Sequence, residues 1–337
     1  NYAVPAHNHS LSESDWAEIR ANYDEIWERA RRTRTGFPFS WVHRSTDGLS
    51  EETIEEALEE RWEQGGFRFF LTFGDLLSNE ETNERVSEFI RSKLRDRIDD
   101  PELADTLIPE NHPYGAKRPP LDYDGYYETF TRDDVSLVDV SEFPIQRLTE
   151  TGIETADSHR EHDIVVLATG FDAITGAFTS FDIHGRNGTT LEAKWADRPR
   201  AYLGFAIDGF PNLFMISGPQ NPSVITNQPV VIEQQVEWIT DCIDYMDESG
   251  FDYIDVKPER VEEWLEHSNS IAEKTVYTDA NSWYKGDNIP GKPTVFLPYP
   301  GGFDNYRERC DEEASSNYEG FKLAKTLEEL GSTRATQ

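Results

Sequence analysis

Apolar residues recur at helical spacing through the first hundred positions. Over residues 10–35, Trp16, Ile19, Tyr23, Ile26 and Ala30 fall on one face, Ser12 or Ser14 can serve as N-cap, and Gly36 and Pro38 stop the run. Ser50 can cap a second helix through Ile54, Leu58 and Trp62 that breaks at Gly65-Gly66. Asn79 can cap a third through Val86, Phe89, Ile90 and Leu94, with Pro101 beyond its end. The pattern then changes. Residues 135–140 (VSLVDV) and 144–149 (PIQRLT) have the look of short strands. Ile164–Leu167, ending at Gly170, is a wholly apolar run of the kind buried on both faces of a parallel sheet. Residues 211–219 (PNLFMISGP) repeat that design. A long helix follows, with Ile232, Val236, Ile239, Ile243 and Met246 on one stripe and Gly250 at its end, and another helix follows Pro258 through Val261, Trp264 and Leu265. The pattern predicts a helical block feeding an α/β sheet, whose ligands should sit at the carboxyl ends of strands.

Charge narrows the function classes. The 337 residues include 65 acidic and 32 basic side chains, a formal net charge of -33. Such a field repels nucleic-acid phosphates and anionic membranes, so neither is an expected partner. Eight tryptophans and the apolar runs argue against disorder. The acidic residues are spread along the chain, which predicts a halophilic protein kept soluble in strong salt. Cys242 and Cys310 give neither a disulfide framework nor a metal pair, and there is no signal-peptide pattern or bilayer-length apolar run, so a cytoplasmic location is expected.

Against this acidity, Lys117 and Arg118 stand side by side in HPYGAKRPPLDYDGYY, followed by Pro119 and Pro120, which fix the local backbone. Aromatics at 114, 123, 126 and 127 could wall a pocket around them. A lysine point charge suits a phosphate, and an arginine fork suits a developing oxyanion or a planar ring. A surface pair in a loop is the plain alternative. His159 and His162 form an HxxH that reads as a polar turn, and no GxGxxG, Walker A, HExxH or GxSxG is present.

Five blocks in order, GAKRPPLDYDGYYETFTRDDVSLVDV, DIVVLATGFDAITGAF, PRAYLGFAIDGFPNLFMISGPQNPS, EQQVEWITDCI and NSWYKGDNIPGKP, resemble the C-terminal portion of Baeyer–Villiger monooxygenases of the phenylacetone and cyclohexanone monooxygenase type. The resemblance implies a partial α/β fold with two FAD/NAD(P)-binding, Rossmann-like domains and a helical insertion. It divides the chain into the helical insertion (1–113), the returning part of the NADPH domain (114–166) and the C-terminal part of the FAD domain (167–337). It implies the cofactors FAD and NADPH, a small ketone and O2 as substrates, and oxygen insertion to an ester or lactone. N- or S-oxygenation is the alternative chemistry. By the same resemblance Arg118 stabilises the flavin peroxide and the ketone-derived oxyanion, and Lys117 contacts the 2′-phosphate of NADPH. Trp283 packs near the nicotinamide cofactor, Gly218 and Pro219 approach FAD, and Thr169 and Gly170 lie between the nucleotide domains. Ser223, Val224, Thr226 and Gln228 line the substrate pocket. The family's glycine fingerprints are missing, so the chain is expected to be a fragment, an inactive remnant, or a half whose separate N-terminal partner carries them. Gln220-Asn221 replaces the usual Gly-Ser, adding bulk where backbone should pass close to the flavin, and Ala116 replaces a Thr.

Overall fold

The computed structural model describes residues 1–123 and 125–331. The chain opens with β1 (Val4–Pro5) and five helices, α1 (Glu13–Ala21), α2 (Tyr23–Arg31), α3 (Glu51–Gln64), α4 (Glu80–Arg95) and α5 (Pro101–Leu107). After β2 (Leu121–Asp122) come the one-turn helix α6 (Tyr126–Thr129) and strands β3 (Ile145–Leu148), β4 (Gly152–Thr155) and β5 (His159–Glu161). Short helices α7 (Gly176–Thr179) and α8 (Leu191–Trp195) precede the long α9 (Gln228–Ser249). After α9 come β6 (Tyr253–Val256), α10 (Pro258–Ala272), α11 (Phe303–Ser315), β7 (Phe321–Ala324) and α12 (Leu327–Gly331), with short 3-10 turns between them.

The helix starts follow their caps. Ser12 forms a reciprocal capping box with Asp15, the Ser50 hydroxyl accepts from the Thr53 N–H, and the Asn79 side chain accepts from the Glu81 and Thr82 N–H groups. Residues 10–35 do not form one helix. The Asn22 side chain donates to the Glu18 carbonyl at 3.0 Å and its backbone N–H closes α1, so the chain restarts as α2. Trp16 and Tyr23 of the expected apolar face are exposed; Ala30 of that face is buried in the second core, with Trp27, which was not on it, packed beside it.

Two large cores result. Tyr2, Phe69, Phe73, Val86, Ile90, Leu94 and Tyr114 build the helical block. Phe205, Trp238, Trp264, Tyr299, Tyr306 and Phe321 build the second, between α9, α10 and α11. A carboxylate on α9 fastens α2 to the second core, in which Ala30 of α2 is buried: Glu233 accepts from Arg31 at 2.6 Å.

The sheets are smaller than the sequence pattern predicts. β1 pairs in parallel with β2, β3-β4-β5 form an antiparallel meander, and β6 pairs antiparallel with β7. Residues 144–149 do contain a strand, but 135–140, 162–172 and 211–219 contain none; the longer-range backbone bonds of 211–219 are isolated ones, to Ile254, Phe205 and Gly204. Ile164, Val166, Leu167 and Phe171 are 81%, 80%, 70% and 88% exposed. The Ile164–Leu167 sequence is that of a central strand, yet no described segment pairs with it; among the described residues the Phe171 carbonyl accepts only from the Asn288 side chain, at 3.2 Å. α9 repeats the situation. Its buried face is Val231, Gln235, Trp238, Cys242 and Met246, while Ile232, Val236 and Ile243 of the expected stripe are exposed. The helix is apolar on two sides, and among the described residues only one has a neighbour.

Candidate active site

The Lys117–Arg118 segment is gripped from α4. The buried Asn83 amide donates to the Leu76 and Tyr114 carbonyls at 2.9 Å each, and the Tyr114 N–H donates to the Ser87 hydroxyl at 3.0 Å. Gly115 follows at φ +91, where a Cβ would come within 2.7 Å of Leu77 and 3.2 Å of Phe70. Only glycine combines that dihedral with that approach. On the far side, the Val4 N–H donates to the Pro120 carbonyl as β1 meets β2. The segment is thus pinned before and after the two cations.

Arg118 enters a cavity of about 590 Å³. Its guanidinium lies over the Phe67 ring at 4.6 Å from the centroid and donates to the Val224 carbonyl. It also hydrogen-bonds the Tyr284 hydroxyl; burial pushes that phenol up to about 12, with the arginine pulling the other way. Arg34 donates from both terminal nitrogens, to the Gly301 and Pro300 carbonyls at 3.0 Å each, and Arg68 stacks over Phe39 at 4.1 Å. The aromatic walls are Phe37, Phe39, Trp41, Phe67, Phe70, Phe73, Tyr277 and Tyr284. They are not the expected ones: Tyr114 and Tyr127 are consumed by the helical core, and Tyr123 and Tyr126 are exposed. In a chain with 65 acidic residues, no Asp or Glu is among the described residues lining this cavity, whereas three arginines are.

The other expected site residues divide. Val224 and Thr226 line the cavity with Arg118. Ser223 is buried at φ +45, directly before Val224. Gly218 and Pro219 are buried in the preceding turn. Gln228 opens α9, where its amide donates to the Ser217 hydroxyl at 3.0 Å and its Oε1 is buried without a partner. Lys117 and Trp283 are half-buried just outside the lining, Trp283 at 4.7 Å from the Tyr284 ring. Thr169 and Gly170 lie on the exposed run and are not brought to the cavity.

The Gln220-Asn221 departure is absorbed locally. The Gln220 side chain turns inward, accepting from the Ala201 N–H at 3.0 Å and donating to the Pro199 carbonyl at 3.3 Å. Its own carbonyl accepts from the Trp264 indole at 2.9 Å. Asn221 accepts from the Ser223 N–H at 2.6 Å. The added bulk therefore braces the 218–223 turn instead of filling the cavity. Tyr284, Phe67 and Arg68 went unflagged in the sequence. The signal was present in GGFRFF, two glycines delivering an aromatic-cation-aromatic run, and in the tyrosine beside Trp283.

No protein-family model matches the chain. It is 39% identical over 327 residues to a cyclopentanone 1,2-monooxygenase of Comamonas, covering 96% of this chain and 59% of that protein. It is 37% identical over 333 residues to a Baeyer-Villiger monooxygenase of Pseudooceanicola batsensis, covering 98% and 60%, and 39% identical over 325 residues to a phenazine N-monooxygenase of Lysobacter antibioticus, covering 96% and 59%. The solved structure of OTEMO in complex with FAD and NADP superposes with a TM-score of 0.90 at 38% identity, over 96% of this chain and 60% of that one. The chain therefore spans about three-fifths of the length of the relatives it matches. Sequence and fold agree that the chain is similar to about three-fifths of a Baeyer–Villiger monooxygenase.

Proposed function

We propose that this chain carries the substrate-facing part of an FAD- and NADPH-dependent monooxygenase that inserts one oxygen of O2 beside a ketone carbonyl. The observation that carries the reading is the acid-free cavity with Arg118 on its wall. An anionic cofactor or a developing oxyanion can enter it without meeting a like charge. Bound FAD and NADPH would supply the activated oxygen and the electrons. Arg118, held by Phe67, Val224 and Tyr284, would offer its remaining N–H donors to the oxygen that was the ketone carbonyl, already oriented when charge develops there. The aromatic walls would exclude water. Ser223, Val224, Thr226 and Gln228 would bound the substrate, Gly218 and Pro219 would meet FAD, and Trp283 would pack near the nicotinamide. The division into 1–113, 114–166 and 167–337 is part of this reading, although the two main cores cross it: Tyr114 and Tyr127 pack in the helical block, and Ala30 packs in the α9–α11 core. In a complete enzyme, Lys117→Ala should raise KM for NADPH roughly tenfold, the value of one charge-assisted hydrogen bond, and leave KM for NADH unchanged. Equal effects on both would remove the phosphate role.

We infer further that Ile164–Leu167 and Phe171 await strands from the part of the family fold this chain does not match, in the same polypeptide or as a separate N-terminal half with the glycine fingerprints. The exposed stripe of α9 supports this. Backbone amides 163–171 should exchange freely in this chain alone and slow by about a hundredfold or more when that part is supplied. Unchanged exchange in a preparation that has taken up FAD would overturn it.

The net charge of -33 supports a halophilic source. Salt screens self-repulsion, so the unfolding midpoint should climb by roughly 5 °C or more from 0.1 to 2 M KCl, and a flat or falling midpoint would contradict it. Two buried free thiols suit a reducing cytoplasm; no described helix is long and apolar enough to cross a membrane.

Nitrogen oxygenation is the second reading, favoured by the 39% identity to a phenazine N-monooxygenase. Exclusive N-oxide or sulfoxide formation from a mixture of amine, sulfide and ketone would select it.

A further inference from the structure

Of the three arginines that line the Arg118 cavity, two are committed. Arg118 donates to the Val224 carbonyl and bonds the Tyr284 hydroxyl, and Arg34 donates to the Gly301 and Pro300 carbonyls. Arg68 alone of the three makes neither an ion pair nor a hydrogen bond among the described residues. It is exposed, in a chain where Arg31, Arg85, Arg91, Arg95 and Arg97 each hold a carboxylate.

The free guanidinium is nevertheless held in place. It lies over the Phe39 ring at 4.1 Å from the centroid, and Phe39 stacks on Phe37 at 6.5 Å. The backbone beneath it is fixed as well. Gly65 and Gly66 lead into the 3-10 turn Gly66–Leu71 at φ +63 and +66, and a Cβ on Gly65 would come within 2.5 Å of the Pro5 carbonyl oxygen and 2.9 Å of the His7 ring. Consecutive residues of this turn then serve two parts of one cavity wall. Phe67 carries the Arg118 guanidinium on its face, and Arg68 rests on the separate Phe37–Phe39 stack. Arg61 adds positive charge behind Arg68. Burial holds the Arg61 guanidinium below its ordinary range, with Glu60 pulling the other way and Arg68 adding to the fall.

We propose that the site prefers ketones bearing a remote carboxylate, which Arg68 receives while the carbonyl meets Arg118 and the intervening hydrocarbon lies on Phe37, Phe39 and Phe67. This rests on the ketone reading above and names its substrate class. Stacking on Phe39 uses the flat face of the guanidinium and leaves its N–H edge free, and that edge matches a carboxylate with two parallel hydrogen bonds. No Asp or Glu is among the described residues lining the cavity, so the anionic tail meets no like charge there. A neutral ketone of the same shape makes no use of Arg68, and the difference between the two is the selectivity.

The test uses the enzyme completed with the rest of the family fold and loaded with FAD. A series of ω-(2-oxocyclopentyl)alkanoates of increasing chain length is compared with the corresponding methyl esters, and lactone is measured by mass spectrometry. At the best chain length kcat/KM for the carboxylate should exceed that for its ester by about tenfold, the value of one hydrogen bond to a charged group. Arg68→Gln should erase this preference and Arg68→Lys should keep part of it, since an ammonium retains the charge without the fork. Arg309→Gln, exposed on α11 and outside the cavity lining, should keep it in full. Equal kcat/KM for acid and ester at every chain length, or a preference that survives Arg68→Gln, would overturn the proposal; lactone from the esters would then still uphold the ketone reading. No lactone from either series would overturn both. A rise in KM for NADPH in Arg68→Gln that matches the loss on the carboxylate would assign Arg68 to the cofactor and overturn the proposal as well.

Discussion

Replacing Arg118 with alanine in a complete enzyme is expected to lower ketone oxygenation by about 10²–10³-fold, the effect of removing one preorganised oxyanion donor. Reduction of FAD by NADPH should fall much less, because hydride transfer makes no oxyanion on the substrate. The geometry explains why the loss should be large. The guanidinium is fixed on three sides, by the Phe67 face, the Val224 carbonyl and the Tyr284 hydroxyl, so its free donors keep one direction. Among the described residues no carboxylate lines the cavity to neutralise it. Arg118→Lys should restore little, since an ammonium can neither stack flat on Phe67 nor fork. Stopped-flow flavin reduction measured beside product formation separates the steps. Parallel losses in both would move Arg118 from oxygenation to cofactor binding.

The second large effect is structural. Trp264→Ala should destabilise the chain by about 3–5 kcal/mol, the usual cost of emptying a buried tryptophan site. Trp264 stacks on Tyr299 at 4.7 Å, meets Tyr202 edge-on at 6.4 Å and donates to the Gln220 carbonyl at 2.9 Å. It therefore closes the core of the α9–α11 block and pins the 218–223 turn that delivers Val224 to Arg118. Trp264→Phe keeps most of the packing and removes the indole donor, so it should lose about 1–3 kcal/mol, the cost of an orphaned buried carbonyl. Urea unfolding with an unchanged slope would report both values. A loss below about 1 kcal/mol for the alanine variant would show that the site has collapsed around the gap and that the turn is held by other contacts.

Much of this was readable before the structure. Caps at Ser12, Ser50 and Asn79 fixed helix starts, because a side-chain oxygen three residues ahead of an apolar stripe has one good use. Lys117 and Arg118 stood out because two cations beside two prolines contradict the chain's charge. Arg118, Val224 and Thr226 do meet at one cavity. The failures share a cause. Ile164–Leu167 and the Ile232, Val236 and Ile243 stripe were read as buried, and hydrophobic pattern alone cannot say whether the partner surface belongs to the same chain. The aromatic walls were missed because neighbours in sequence were favoured. Tyr114 and Tyr127 point into the helical core, while the rings that line the cavity with Arg118 come from residues 37–41, 67–73 and 277–284. Gln220 was read as an obstruction, since its inward hydrogen bonds depend on Pro199 and Ala201, some twenty residues away.

The most direct test supplies the chain, within a polypeptide or a reconstituted pair that completes the family fold, with FAD, NADPH, a cyclic ketone and ¹⁸O2. Mass spectrometry of the product should find a lactone carrying one ¹⁸O atom, and the Arg118→Ala protein should yield almost none while still oxidising NADPH. Unlabelled or absent lactone from a fully FAD-loaded preparation would contradict the assignment of this cavity to ketone oxygenation.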